Sequence, residues 1–245
     1  MRYIHKNAEP KYIQEWKTAR KDAKQSVKYN EFDKKAQLNA DLRAEQHGVC
    51  CYCQRVIDHF QSESGNPETA AHNEHLYPQN IDGDERSKQL QMEYSNIFAC
   101  CVDSRGLKMQ SKLRHCGESK GNAIIPDLIC RTDCASYFYY SLTGEIIPIE
   151  KRQPDWKNYV ILPIDTLTKR EQDAVKCIKT LNLNCATLVA DRKICIDALF
   201  QSYKAMSVDE LIRIKEDLLA KAQYPSYVEL RVQLINHLIE KKKNK

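Results

Sequence analysis

The sequence predicts an α+β chain in three parts, with helical regions at both ends and a central domain of short elements. Apolar residues recur at helical spacing over residues 10–47 and again after residue 163. From Gly48 onward the composition changes, because Gly, Pro, Asn and Asp become frequent and apolar runs become short. Eight of the 11 cysteines also lie in this central region, between Cys50 and Cys134. We place the boundaries at 1–48, 49–150 and 151–245.

The N-terminal part is predicted to be helical. The apolar residues that recur at helical spacing in its first half are Tyr12, Ile13, Trp16, Ala19 and Ala23. A second helical segment covers residues 32–46 and runs into Gly48, which is a suitable helix stop.

The central part has few apolar runs and many cysteine and histidine residues, a composition typical of small domains that need a metal ion for stability. Its end predicts a β-hairpin. Residues 136–141 are aromatic and favour a strand, residues 142–144 supply a turn containing Gly144, and residues 145–149 return.

The C-terminal part follows a predicted linker over residues 151–163 and is helical to its end. Thr168 with Glu171, and Ser207 with Glu210, have the spacing of capping boxes that open amphipathic helices. Two further helices are predicted over residues 186–205 and 227–241, and the charged residues after them are expected to be disordered.

Composition restricts the class of protein. The net charge of +5 is compatible with a polyanionic partner but does not require one. The N-terminal residues lack the apolar stretch of a signal peptide, and no uncharged run is long enough to span a bilayer. We therefore expect a cytoplasmic protein without a membrane partner, whose cysteines are buried, catalytic or metal-bound.

A structural zinc site is the first prediction from the cysteines. Cys50 and Cys53 form a C-x-x-C pair, whose two thiolates can bind one tetrahedral ion, and Cys101 and Cys116 supply the other two ligands. The alternative is that all four are small buried thiols. Two cysteines adjacent to these, Cys51 and Cys100, compete for ligand positions. Cys130 and Cys134 are interpreted as packing residues, with a second zinc site as the alternative.

Candidate catalytic residues lie between the cysteine pairs. Glu74 offers a hard oxygen ligand to Mg²⁺ or Mn²⁺, and the adjacent His75 can deprotonate a water molecule. Asn96 precedes a short apolar strand that ends in a cysteine, where it can hold the imidazole of the neighbouring strand. Each pattern alone is weak, since a Glu-His pair is commonly a surface feature and an Asn a turn residue. Together, and in this order between the cysteines, the patterns are a strong indication of a catalytic site.

These motifs together resemble those of the HNH, or ββα-metal, nucleases. The resemblance is carried by residues 50–53, 74–78, 96–101 and 116–121. Residues 1–10, 42–48 and 181–192 are in addition similar to the Septu- and retron-associated HNH nucleases, the PtuB class. The resemblance implies a central zinc-stapled ββα-metal (HNH) finger flanked by the two helical regions. It also implies a metal-dependent endonuclease that hydrolyses DNA or tRNA in anti-phage defence.

In such a nuclease His75 is the general base, Glu74 is a ligand of the catalytic Mg²⁺ or Mn²⁺, and Asn96 orients the imidazole through its backbone or amide oxygen. Cys101 fits the zinc position better than Cys100. One departure concerns Gly117, which stands where the family usually has its third motif residue and cannot bind a metal. Glu118, Asn122 or His115 could take its place, or the ion has fewer protein ligands.

The resemblance also implies partners. We expect an ATPase of the Septu (PtuA) type that binds the C-terminal helices and, in retron versions, a reverse transcriptase with its RNA–DNA hybrid. Basic residues near the predicted site are candidates to contact the nucleic-acid backbone, with a solvated charged face as the alternative. They are Arg105, Lys108, Lys112, Arg114 and Lys120.

Two other functions compete with catalysis. One is a catalytically silent zinc module that binds nucleic acid or a protein, which Gly117 favours. The combination of Glu74, His75 and Asn96 argues against it, because a binding module needs none of the three. The other is a purely structural adaptor whose helical regions make the contacts.

Overall fold

The computed structural model describes residues 1–57, 59–61, 67–69, 71–102, 111–149 and 166–244. Over these residues the chain combines helices with short antiparallel strand pairs, which confirms the α+β prediction. The predicted linker over 151–163 lies outside the described residues, as do Arg105 and Lys108.

The N-terminal region contains two helices, α1 (Lys11–Asp22) and α2 (Lys35–Glu45), separated by a 3₁₀ turn at Tyr29–Glu31. The residue after α2, Gln46, is buried and bonds to the central part of the chain. Its side-chain amide donates to the carbonyl of Ala99 (2.8 Å), and its side-chain oxygen accepts from the N–H of Ala99 (2.8 Å). The end of α2 is therefore fixed beside the strand that carries Cys100 and Cys101.

The strands form three antiparallel pairs. They are β1 (His59–Gln61) with β2 (Pro67–Thr69), β3 (Ala71–His75) with β4 (Ile97–Cys101), and β5 (Phe138–Tyr140) with β6 (Ile146–Pro148). The β5–β6 pair is the predicted hairpin. In the β3–β4 pair, Ala71 faces Cys101 and His75 faces Ile97, so the two candidate sites lie on one strand pair.

Short helices connect these strands. Helix α3 (Glu85–Leu90) begins after Asp84, whose carboxylate accepts from the N–H of Arg86. A single-turn helix, α4 (Gly117–Lys120), directly follows Cys116. Further 3₁₀ turns cover Tyr94–Asn96, Ser111–Leu113, Leu128–Cys130 and Cys134–Tyr137.

The C-terminal region contains α5 (Lys169–Thr180), α6 (Ala186–Tyr203), α7 (Val208–Leu219) and α8 (Val228–Lys243). Both predicted capping boxes are confirmed, at the starts of α5 and α7. The prediction that the charged tail, residues 241–245, is disordered is wrong for residues 241–243, because α8 continues through Lys243, and residue 245 lies outside the described residues. Cationic side chains in the last turn stabilise a helix through its dipole.

One hydrophobic cluster joins the three predicted parts. It includes Leu42 of α2, Phe98 of β4 and Ile235 of α8, each of which is fully buried. Leu211 and Leu218 of α7 are also buried in it. Their internal packing leaves these positions unavailable as a docking face. Among the described helices, none has both the length and the apolar character needed to cross a membrane.

Gly144, in the hairpin turn, contacts the C-terminal helices closely. Its φ is +91°, and a Cβ added there would lie 2.3 Å from the carbonyl oxygen of Val189. We expect Gly144→Ala to lower the free energy of unfolding by about 3 kcal/mol, from left-handed strain plus overpacking. Gly83→Ala is the matched control, since Gly83 also has a positive φ (+74°) but open space around it. Urea unfolding checks this, and equal losses in the two variants would contradict it.

Candidate functional site

Six metal-ligand side chains from separate segments meet at the end of β4. The first segment is a tight loop closed by an antiparallel bridge between Val49 and Val56. Within it the N–H of Cys50 donates to the carbonyl of Arg55 (2.8 Å). The N–H of Cys51 donates to the carbonyl of Ala99 (3.1 Å), so the loop is attached to β4.

The other cysteines come from β4 and from the residue before α4. Cys100 and Cys101 are the last residues of β4 and are buried. Cys116 has a positive φ of 55°, and its N–H donates to the carbonyl of Leu181 (2.8 Å) in the C-terminal region. Contacts with that region therefore hold Cys116 in place.

The four predicted zinc ligands lie in one cluster but do not form a single set of mutually close donors, because Cys50 and Cys53 fall in different sets, each with Cys101 and Cys116. The Sγ atoms of Cys53 and Cys101 are 3.7 Å apart, and those of Cys50 and Cys116 are 3.9 Å apart. A tetrahedral zinc ion with Zn–S bonds of about 2.3 Å requires Sγ–Sγ separations of about 3.8 Å. The cluster can therefore hold a zinc ion, as predicted.

Two further side chains belong to this cluster. Cys100 Sγ lies 3.9 Å from Cys50 Sγ, and His115 Nδ1 lies 3.3 Å from Cys116 Sγ. The sequence left the choice between Cys100 and Cys101 open, and the structure brings both to the cluster. His115 was a candidate to replace Gly117, which is wrong here because its imidazole faces sulfur atoms. The sequence signal that could have placed His115 in the cysteine cluster was its position directly before Cys116.

Protonation of the thiols opposes metal binding. Burial raises the pKa of Cys53, Cys100 and Cys116 well above the usual range. Burial also opposes ionisation of Cys50, but hydrogen bonds from the surrounding thiols outweigh it and lower its pKa. A zinc ion must therefore displace protons from most of these thiols, and its affinity falls as the pH falls.

Three other central cysteines lie outside the metal-ligand groups found among the described residues. Cys51 and Cys134 are buried, and Cys130 is exposed. Burial of Cys134 agrees with its interpretation as a packing residue, whereas the exposure of Cys130 does not.

A second polar cluster surrounds Glu74 on β3. Its Oε1 accepts from Lys120 Nζ (2.9 Å) and from the hydroxyl of Tyr52 (3.3 Å), and its Oε2 lies 3.2 Å from His72 Nε2. His72 and Glu74 are two residues apart on one strand, so their side chains extend from the same face. Tyr52 belongs to the Cys50–Cys53 loop and thereby connects this cluster to the cysteines.

Glu74 is held in its ionised form. Burial raises its pKa, but the hydrogen bond from His72 and the charge of Lys120 outweigh burial and lower it. The side chain of Lys120 is only 2% exposed, and its Nζ also donates to the carbonyl of His75 (2.8 Å). The predicted contact of Lys120 with nucleic acid is therefore wrong, because its ammonium group is buried against Glu74.

Gly117 leaves the space that this cluster fills. A Cβ at Gly117 would lie 2.6 Å from Glu74 Oε2 and 2.7 Å from His72 Nε2. Glu118 is exposed, and the side-chain amide of Asn122 donates to the carbonyl of Asn80. His72, which the sequence analysis missed, is the residue that meets Glu74 here. The signal was its i, i+2 spacing from Glu74.

The imidazole of His75 has a defined orientation. Its Nε2 lies 2.9 Å from the carbonyl oxygen of Gln91, and its ring packs edge-on against Tyr29, with centroids 4.6 Å apart. Because a carbonyl only accepts hydrogen bonds, Nε2 carries the proton and Nδ1 carries the lone pair. Burial lowers the pKa of His75, which keeps the ring neutral.

The predicted role of Asn96 needs correction. Its Oδ1 accepts from the N–H of Tyr77 (2.7 Å), and its Nδ2 donates to the carbonyls of Tyr77 (3.0 Å) and Leu90 (3.1 Å). Asn96 therefore fixes the turn after His75, while the carbonyl of Gln91 orients the imidazole. The buried amide bonds to backbone groups because the turn would otherwise leave them unpaired.

The remaining basic candidates, Lys112 and Arg114, are exposed just before the cysteine cluster. Their backbone carbonyls accept from the side-chain amide of Asn182, at 3.0 Å and 2.7 Å. Two adjoining sites result, a closed thiolate-rich cluster and a carboxylate–imidazole–ammonium cluster.

Comparisons of the chain with protein-family models and with curated proteins found no match.

Proposed function

We propose that the chain is a metal-dependent HNH-type endonuclease that hydrolyses phosphodiester bonds in DNA or tRNA. The observation that carries the proposal is an ionised Glu74 paired with His72 where β3, β4 and α4 meet, beside the cysteine cluster. Two antiparallel strands followed by a helix, with cysteines at the strand end and before the helix, agree with the ββα-metal arrangement that the motifs resemble.

The donor pair suits a divalent cation. Glu74 Oε2 and His72 Nε2 are 3.2 Å apart, which is compatible with two neighbouring ligands on one ion with bonds of about 2.1 Å. A mixed oxygen and nitrogen donor pair favours Mn²⁺ over Mg²⁺. Such an ion, when bound, neutralises phosphate oxygens and stabilises the leaving oxygen.

The protein groups around the ion divide the remaining work. Nδ1 of His75 accepts the proton of the attacking water, because Gln91 fixes the proton on Nε2. Lys120 and Tyr52 both bond to Oε1 of Glu74, so an ion bound at Oε2 replaces only the hydrogen bond with His72 Nε2. Exposed Lys112 and Arg114 contact backbone phosphates without reading the base sequence.

His72 gives the sharpest test of the donor pair. His72→Ala is expected to raise the Mn²⁺ concentration needed for half-maximal cleavage by about 100-fold, because one of two protein ligands is lost. Zinc content and thermal stability are expected to stay at the wild-type level. His237→Ala, in an exposed position of α8, is the matched control. An unchanged Mn²⁺ requirement in His72→Ala would remove His72 from the site.

A catalytically silent zinc module is the second candidate function. Two observations favour it: Lys120 already neutralises Glu74, and His75 is only 5% exposed. A cleavage assay distinguishes the two functions, because the silent module binds nucleic acid but does not cut it with any divalent metal ion.

Control by a partner is part of the proposal. We propose, from the family resemblance, that an ATPase of the Septu type restrains the nuclease, with a retron reverse transcriptase and its RNA–DNA hybrid in some assemblies. Contact would use the exposed apolar side chains of α6 and α7, Ile194, Phe200 and Leu219.

A further inference from the structure

The cysteine cluster has more donors than one tetrahedral ion can use. The Sγ atoms of four cysteines all lie within 4.8 Å of one another, and these are Cys50, Cys100, Cys101 and Cys116. A second such set is Cys53, Cys101, His115 and Cys116. Cys101 and Cys116 belong to both sets, whereas each set has two donors of its own.

This pattern is that of two tetrahedra sharing one edge. Within the first set, Cys50 Sγ is 3.9 Å from both Cys100 Sγ and Cys116 Sγ. Within the second set, Cys101 Sγ is 3.7 Å from Cys53 Sγ and 3.8 Å from His115 Nδ1. These separations match the edges expected around zinc, about 3.8 Å between sulfur atoms and somewhat less between sulfur and nitrogen.

We propose that the cluster holds two zinc ions, bridged by the thiolates of Cys101 and Cys116. Cys50 and Cys100 complete one tetrahedron, and Cys53 and His115 complete the other. A single ion would take four of these donors and leave two buried beside it without a metal.

The charge of the site supports two ions. One zinc ion with four thiolates retains two excess negative charges in a buried site. Two zinc ions with five thiolates and a neutral imidazole retain only one. Loading the second ion releases the protons of the thiols it binds, so the reaction is an exchange of Zn²⁺ for H⁺ without a redox step. The N–H of Gly117 donates to Cys100 Sγ (3.3 Å), as expected for a thiolate acceptor.

Both ions would have closed coordination shells, so the cluster is structural. It joins the loop of residues 49–56, the end of β4 and the start of α4. The same loop carries Tyr52, which bonds to Glu74, so the two clusters are adjacent. The inference concerns only the number of ions, so it stands or falls independently of the proposed nuclease activity.

Zinc stoichiometry tests the proposal. The full-length protein, washed with a weak chelator to remove loosely bound metal, is measured by native mass spectrometry and by elemental analysis. Two zinc ions per chain are expected, together with two ¹¹³Cd resonances of equal intensity after cadmium exchange. One zinc ion per chain and a single resonance would overturn the proposal, whichever four donors hold it.

Variants with one terminal donor removed assign the two positions. Cys100→Ser and His115→Asn each leave one complete set, so each is expected to retain one zinc ion and to fold. Cys51→Ser, which removes a buried cysteine outside both sets, is the control and is expected to retain two. If Cys100→Ser and His115→Asn each bind as much zinc as the wild type, these two side chains do not complete separate tetrahedra and the proposed donor sets are wrong. Where a variant is insoluble, the stoichiometry of the wild type decides the question.

Discussion

Cys116→Ser is expected to yield insoluble or unfolded protein. Cys116 belongs to both donor sets and is 0% exposed, so its loss removes a ligand wherever zinc binds. Structural zinc contributes on the order of 10 kcal/mol or more to the folding of small zinc domains, more than the net stability of most domains. Soluble yield, zinc content and the melting temperature measure the effect.

Conservative changes at other buried cysteines are the controls for this prediction. Cys185 directly precedes α6 and lies outside both donor sets, so Cys185→Ser is expected to lower the free energy of unfolding by only about 1 kcal/mol. A Cys116→Ser protein that is soluble, free of zinc and as stable as the wild type would show that folding does not depend on the metal.

His75→Ala is expected to reduce the cleavage rate by about 10² to 10⁴, the usual contribution of a general base. Zinc content and affinity for nucleic acid are expected to remain, since the base acts on water and contributes little to binding. Single-turnover time courses measure the rate, and titration with labelled substrate measures the affinity.

Asn96→Ala separates catalysis from support of the fold. Because Asn96 bonds to backbone groups of Tyr77 and Leu90, its loss leaves buried polar groups unpaired and is expected to lower both the rate and the melting temperature. His75→Ala, in contrast, leaves only the carbonyl of Gln91 without its partner and is expected to lower the melting temperature less than Asn96→Ala. Equal effects of the two variants on stability would contradict the role assigned to Asn96.

The sequence was sufficient for the parts of the fold that depend on local patterns. Capping boxes at Thr168 and Ser207 follow from side chains three residues apart, and the β5–β6 hairpin follows from β-prone runs around a turn. A metal site among the central cysteines was also predictable, because C-x-x-C spacing is typical of zinc ligands. Their grouping was not, since Cys50 and Cys53 fall in different donor sets and His115 joins one of them.

The candidate site depended on packing that spacing does not encode. Lys120 lies in a basic stretch of sequence, which predicts exposure, yet Glu74 neutralises it in a buried pair. The partner of the His75 imidazole is a backbone carbonyl, that of Gln91, and a backbone atom leaves no signal in residue type. The meeting of His72 with Gly117 depends on how α4 packs on β3.

The tail shows a different limit. A run of lysines at the end of the chain predicts disorder by composition, whereas α8 continues through Lys243. Buried Ile235, Leu238 and Ile239 in the preceding turns hold the helix in place. Favourable interaction of lysine with the helix C-terminus then outweighs the composition.

Restoring metal to the wild-type protein tests the nuclease proposal most directly. Protein depleted of loosely bound metal, with its cluster zinc retained, is assayed on labelled DNA and on tRNA, with and without a partner ATPase. We predict no cleavage until Mn²⁺ is added, then cleavage that Glu74→Ala loses and high Mn²⁺ partly restores. Nucleic acid bound but uncut by the wild type in every metal, or cut equally fast by His75→Ala, would contradict the nuclease mechanism and favour the silent module.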